Sequence, residues 1–238
     1  SATAMTGIFQ GCTGITGSIP SHLFDFNVLA QSFESCFNGC TNLSGQIPTD
    51  LFLYNDRVVN YRSTFSGCSN LTGMIPAHLF DKMTLGTTAG VYYYTFNGCS
   101  KIEGIPEHLF DFSHSISSQA FANTFSGCSH ASFTSIPAGL FQYLDHVSTN
   151  AFAGTFSGCN KLTSIPAHLF DSCTSVSTSG FYNTFSSCSS VASIPDNLFD
   201  YAHSNTSFGS TFSGCTSLSA IPTNLFLYAA SVTDYMNC

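Results

Sequence analysis

Four histidines share one recurring setting, Pro-x-His-Leu-Phe-Asp, at His22, His78, His108 and His168, and an aspartate follows each three residues on: Asp25, Asp81, Asp111 and Asp171. A His–Asp pair is the orienting half of a nucleophilic triad and also half of a metal site. Catalysis would need a nucleophile fixed beside each histidine, and serine is spread over every turn without one being singled out. A continuous metal array would be interrupted, because Asp50, Gly139, Asn197 and Asn224 fill the same position elsewhere. On a helix the spacing puts both side chains on one face, so the expected role is a solvated pair contributing roughly 0.2–0.5 kcal/mol. Neither an enzyme nor a resident cofactor is expected.

Cysteine is the second candidate chemistry. Eight of the 11 cysteines occupy equivalent positions, Cys12, Cys40, Cys68, Cys99, Cys128, Cys159, Cys188 and Cys215, as expected of a buried ladder of small apolar side chains. Turns about 4.8 Å apart lie within disulfide range, but side chains in register point the same way and would strain the bond. Zinc is disfavoured by the lack of paired Cys-x-x-Cys spacing. Cys36, Cys173 and Cys238 lie off the ladder and are the cross-linking candidates; an odd total leaves at least one thiol free or intermolecular.

The elements that must position these residues follow from a repeat. All eight prolines sit in Ile-Pro pairs, at Pro20, Pro48, Pro76, Pro106, Pro137, Pro166, Pro195 and Pro222, spaced by 28, 28, 30, 31, 29, 29 and 27 residues. A period of about 29 with Leu and Ile at fixed offsets predicts one solenoid turn per repeat. The expected fold is an α/β solenoid, like a leucine-rich repeat, of eight turns in a single domain over 1–238. Each turn is expected to carry a short parallel strand over the Leu-to-Ile segment (Leu71 to Ile75, Leu162 to Ile165), ended by proline, which cannot donate to the next ladder. Pro-x-x-Leu-Phe-Asp is expected to begin a helix, since proline suits the first helical position. A second helical or tight-turn piece is expected over Phe-x-x-Thr-Phe-x-Gly-Cys, and the 24 phenylalanines are expected to stack between turns as the core.

The string Phe-x-x-Cys-x-x-Leu-x-x-Ile-Pro resembles the BspA-like leucine-rich repeats of bacterial surface and host-associated proteins. It is carried by Phe125-Ser126-Gly127-Cys128 to Ile136-Pro137 and by Phe212-Ser213-Gly214-Cys215 to Ile221-Pro222. A second echo, Leu43-Ser44-Gly45-Gln46-Ile47-Pro48 and Leu71-Thr72-Gly73-Met74-Ile75-Pro76, is similar to the plant extracellular type, to which Phe-x-Gly-Cys does not belong. The turns here are several residues longer, which implies a bulkier convex side. The resemblance implies adhesion or another protein contact at a surface and fixes no ligand.

Composition bounds the partner. Only 8% of residues are charged, against roughly 25% in ordinary domains. Five basic residues and a net charge of −8 are too few cations for a run of phosphates, so nucleic acid is not an expected partner. No apolar stretch is long enough to span a membrane. A hydroxyl- and amide-rich exterior points to an extracellular or cell-surface location. The expected partners are a protein or glycan at that surface, and Tyr92, Tyr93 and Tyr94, which break the local pattern, mark a candidate binding face. Neither terminus carries a polar cap, which leaves two expectations, a piece cut from a longer surface protein or head-to-tail association into a filament with Phe9, Cys12, Tyr235 and Cys238 at the junction. The glycosylation sequons at Asn42, Asn70 and Asn205 are as frequent as chance gives in such a chain.

Overall fold

The computed structural model describes residues 3–83, 88–113, 117–144 and 147–236. Successive repeats stack as solenoid turns, and the bonds between them are concentrated in the Phe-x-x-Thr-Phe-x-Gly-Cys segment, where alternate backbone N–H groups take different partners. Those of Tyr61, Ser63, Phe65 and Gly67 donate to Val91, Tyr93, Thr95 and Asn97 of the next turn at 2.7–2.9 Å. Those of Thr64, Ser66 and Cys68 donate three residues back, at 3.0–3.2 Å. Every second residue therefore builds the ladder while its neighbour closes a tight turn. This alternation needs left-handed backbone at fixed places. Gly67 has φ 73° and Gly98 φ 69°, and a Cβ on Gly98 would sit 3.8 Å from the Gly67 Cα, so the glycine row also permits close stacking of backbone.

The strand expectation holds only locally. The Leu-to-Ile segment forms β1 (Gly73–Met74) and β2 (Ile102–Gly104), which pair in parallel with an irregularity between Gly73 and Met74. Elsewhere it contributes single bridges such as Gly17 to Leu43 and Gly45 to Leu71. The helix expectation is overturned: no helix occurs among the described residues. The reason is visible at the histidine position. His22, His78, His108 and His168 have φ of 60–62°, and Asn197 in the same slot has 63°. A left-handed residue three places into the segment ends a right-handed helix before its first turn closes. What remains is a tight turn in which Asp81 N–H donates to the His78 carbonyl at 3.3 Å.

Three columns of rings fill the interior. Phe37, Phe65, Phe96 and Phe125 stack at 5.5–5.8 Å with interplanar angles of 3–6°. A second column passes through Phe33, Tyr61, Tyr92 and Phe121 at 5.4–6.3 Å. Rings of the third, such as Phe52, Phe80 and Phe110, wedge between turns of the second at 4.6–5.0 Å and 46–52°. Each contact of this kind is worth about 0.5–1.5 kcal/mol beyond area burial. Polar rows seal the backbone inside: the buried Thr64 hydroxyl lies 2.7 Å from the Tyr61 carbonyl and 3.0 Å from that of Phe33 in the previous turn, and Thr124 and Thr155 repeat the arrangement.

Candidate functional site

The His–Asp pairs form without a helix. Nδ1 to Oδ2 distances are 3.0 Å for His22–Asp25 and His78–Asp81, 2.7 Å for His108–Asp111 and 2.8 Å for His168–Asp171. The left-handed histidine and the i,i+3 turn bring the side chains together, and His22 Nε2 reaches Asp50 Oδ2 of the next turn at 3.2 Å. The His78 and His108 rings lie parallel with centroids 5.8 Å apart. Burial raises the Asp81 carboxyl above its usual range, opposed by the neighbouring His78. No group of three metal-ligating side chains occurs among the described residues, and no hydroxyl there is hydrogen-bonded to any of the four histidines. The stripe is an exposed row of paired side chains with no nucleophile fixed beside it.

The cysteines face inward. Cys40 through Cys215 are buried, Cys12 is half-buried, and each thiol from Cys40 onward lies 2.9–3.4 Å from the carbonyl of a phenylalanine in the preceding turn. Burial pushes the Cys68 and Cys128 thiols up to about 12. Cys36 and Cys173 are buried as well, at 0% and 1% exposure, and burial lifts Cys36 to about 12. Cross-linking through either is therefore corrected: a thiol this deeply buried reaches no second molecule, and burial holds it in its unreactive protonated form. Cys238 lies outside the described residues. Phe9 and Tyr235 pack on their neighbours, Phe37 at 5.4 Å and Phe226 at 5.3 Å.

The tyrosine face divides. Tyr92 is fully buried, its hydroxyl 2.7 Å from Ser113 Oγ and 3.0 Å from Met83 Sδ, so it belongs to the core and not to a binding face. Tyr93 and Tyr94 reach the surface, pack edge to face at 4.2 Å, and the Arg62 guanidinium lies 4.4 Å over the Tyr93 ring. Tyr93 is one wall of a groove of about 320 Å³ whose other lining residues are Gln119, Ala122, Asn123, Asn150, Ala153, Ser179 and Tyr182. The sequon amides are committed to the protein. Asn42 and Asn70 donate to the Thr13 and Thr41 carbonyls at 2.8 and 2.7 Å. Asn205 is fully buried, accepting from Gly180 N–H and donating to the Ser207 carbonyl.

A second surface feature escaped the sequence reading. Phe26, Tyr54, Phe112, Tyr143, Tyr201 and Tyr228 are 46–97% exposed. All six stand six residues after the proline of their turn, with Lys82 and Ser172 in the other two turns. That constant offset was the available signal; it passes unnoticed when every phenylalanine is assigned to the core.

No protein-family model matches the chain, and no curated protein matches it. Among solved structures it is similar to Toll in the Toll–Spatzle complex of Drosophila, at 16% identity and a TM-score of 0.33 over 80% of this chain. It spans about a third of that chain, 32%. It is also similar to a leucine-rich cell surface protein of Faecalibacterium prausnitzii, at 15% identity and a TM-score of 0.22, covering 92% of this chain and 82% of that one. A third likeness is to TLR13 in its complex with ssRNA13, at 12% identity and 0.19, covering 88% and 42%. At these scores none of the three decides a repeat class or a ligand.

Proposed function

We propose that this chain is a recognition scaffold of the leucine-rich-repeat type, one domain over 1–238, working at a cell surface and presenting a binding face rather than an active site. The observation that carries this is the set of six outward aromatic rings, 46–97% exposed, at one fixed offset of their turns, on a protein whose core is built from stacked rings. Large rings left in water at one fixed position of most turns incur a solubility cost, and they come in pairs on neighbouring turns, Phe26 with Tyr54, Phe112 with Tyr143 and Tyr201 with Tyr228, exposed apolar surface of the kind that marks contact sites. The low charge, 8%, supports an extracellular setting, and the Phe-x-x-Cys frame supports the BspA-like surface class. Among the described residues no helix is long and apolar enough to cross a membrane.

Head-to-tail filament assembly is the competing reading. Leu218, Ile221 and Phe226 line an apolar hollow of about 340 Å³ on the last turn, with Ile221 77% exposed. A following turn of the same chain would cover that hollow as well as a second copy would, so it favours neither.

The test compares wild type with Phe112→Ser/Tyr201→Ser/Tyr228→Ser on arrays of immobilised glycans and extracellular protein domains, with electron microscopy of the same samples. Recognition by these rings requires discrete particles, saturable binding to at least one immobilised ligand, and a loss of about tenfold or more in the variant at unchanged circular dichroism. Fibres with an axial repeat of roughly 40 Å, eight turns at the strand spacing, and no ligand sensitive to the variant would replace this reading with a structural filament.

A further inference from the structure

We propose that the groove between Tyr93 and Tyr182 is a binding site for a neutral saccharide, a proposal that rests on the recognition reading above and gives it a ligand class. Tyr93 and Tyr182 occupy the same position of turns three apart, and in the two turns between them that position is Ala122 and Ala153. Two truncated side chains between two rings leave a slot spanning roughly 14 Å by the strand spacing, with a volume of about 320 Å³. That volume falls at the lower end of the range for small-molecule sites.

The walls and rim have the right chemistry. Tyr93 is held by Arg62 at 4.4 Å and by Tyr94 at 4.2 Å, so it is a fixed surface, and Tyr182 is 44% exposed. Gln119, Asn150 and Ser179 stack at one position of three consecutive turns, with φ of 55–57°, along one side of the slot. Asn123 lines it from another position, where Gly154 of the next turn leaves its amide room: a Cβ on Gly154 would collide with the Asn123 side chain. Their backbones are tied into the ladder, Gln119 N–H to Thr149 and Asn123 N–H to Ala153, both at 2.9 Å. Among the described residues no side-chain hydrogen bond joins Gln119, Asn123, Asn150 or Ser179 to the protein, so these donors and acceptors are available to a ligand.

A sugar ring combines an apolar C–H face with an equatorial belt of hydroxyls. Tyrosine rings suit the first, and amides, which donate and accept together, suit the second. No residue lining the groove carries a charge at neutral pH, and the Arg62 guanidinium beside Tyr93 is engaged by that ring and lies 3.9 Å from Glu34. Carboxylated, sulfated or phosphorylated ligands therefore find no counter-charge there.

The experiment titrates cellotetraose, laminaritetraose, mannotetraose and chitotetraose, with a heparin tetrasaccharide as the anionic comparison, into the protein by calorimetry and by tyrosine fluorescence, which is unobscured because the chain has no tryptophan. The variants are Tyr182→Ala, which removes a wall, and Ala153→Leu, which fills the floor without removing any contact. The expected result is saturable binding of at least one neutral tetrasaccharide, weakened about tenfold or more in both variants at unchanged melting temperature, with no heparin binding. The proposal is overturned if no neutral tetrasaccharide saturates the wild type by ~10 mM, if both variants bind as tightly as wild type, or if only heparin binds. Ligand capture that survives both groove variants but is lost in the exposed-ring variant would refute the groove alone and leave the recognition reading standing. Capture insensitive to every variant would refute both.

Discussion

Tyr61 and Tyr92 hold the same position of neighbouring turns, stacked at 6.3 Å with ring planes nearly parallel at 2°, yet their hydroxyls have opposite fates. That of Tyr92 meets Ser113, while that of Tyr61 is buried with no hydrogen-bond partner among the described residues. An unpaired buried hydroxyl costs about 1–3 kcal/mol, and a paired one contributes about 1. Tyr61→Phe should therefore raise stability by roughly 1 kcal/mol, a gain of about 2–4 °C in melting temperature for a chain of this size. Tyr92→Phe should lower it by a similar amount, because Ser113 then loses its partner. Thermal melts of the two single variants decide the matter, and destabilisation by Tyr61→Phe would mean that its hydroxyl is satisfied. Neither fate is legible in the sequence, since both tyrosines stand where five other turns carry phenylalanine, at Phe33, Phe121, Phe152, Phe181 and Phe208.

At the scale of the repeated element, the cysteine row gives the solenoid a pH limit. The ordinary thiol value is 9.0, and burial raises Cys68 and Cys128 to about 12. Below pH 9 both folded and unfolded chains keep these protons, and the contribution of the row is intact. Above it the unfolded chain releases protons that the folded one retains, so stability falls by about 1.4 kcal/mol per pH unit for each such thiol until the folded value is reached. Melting temperature should be flat from about pH 6 to 8 and fall steeply beyond about 9. Cys68→Ala/Cys128→Ala should shallow that fall, and an unchanged slope in the double variant would assign the alkaline limit to other groups. The row itself could be read from the sequence by its spacing. The backbone of the element could not: Pro-x-His-Leu-Phe-Asp satisfies helix-start rules, and only the left-handed φ of the histidine position, 60–62°, turns it into a tight bend. The bend is closed by local bonds, Asp81 N–H to the His78 carbonyl and Met83 N–H to that of Phe80, in place of the i,i+4 bonds of a helix.

Over the whole molecule, contacts run from each turn to the next, so stability should be close to a sum over turns. Deleting residues 160–188, one period from Cys159 to Cys188, joins equivalent positions and should leave a folded solenoid with a urea m-value lower by roughly one eighth. An unfolded or aggregated product would show that the turns are not interchangeable. The sequence by itself carried the period of about 29 residues and the Cys and Phe positions at fixed offsets, which the structure stacks and buries, because a side chain that recurs at one offset meets its own copies in neighbouring turns. Only the tertiary structure decided which hydrogen bonds the backbone makes, that Tyr92 lies inside while Tyr93 lines a groove, that Cys36 and Cys173 are enclosed, and that Ala122 and Ala153 open a slot between two rings. Those outcomes depend on which face of a tight turn points outward and on what the neighbouring turns place beside it. A one-residue change of facing reverses burial, and the repeat period, which slips between 27 and 31, does not fix that facing.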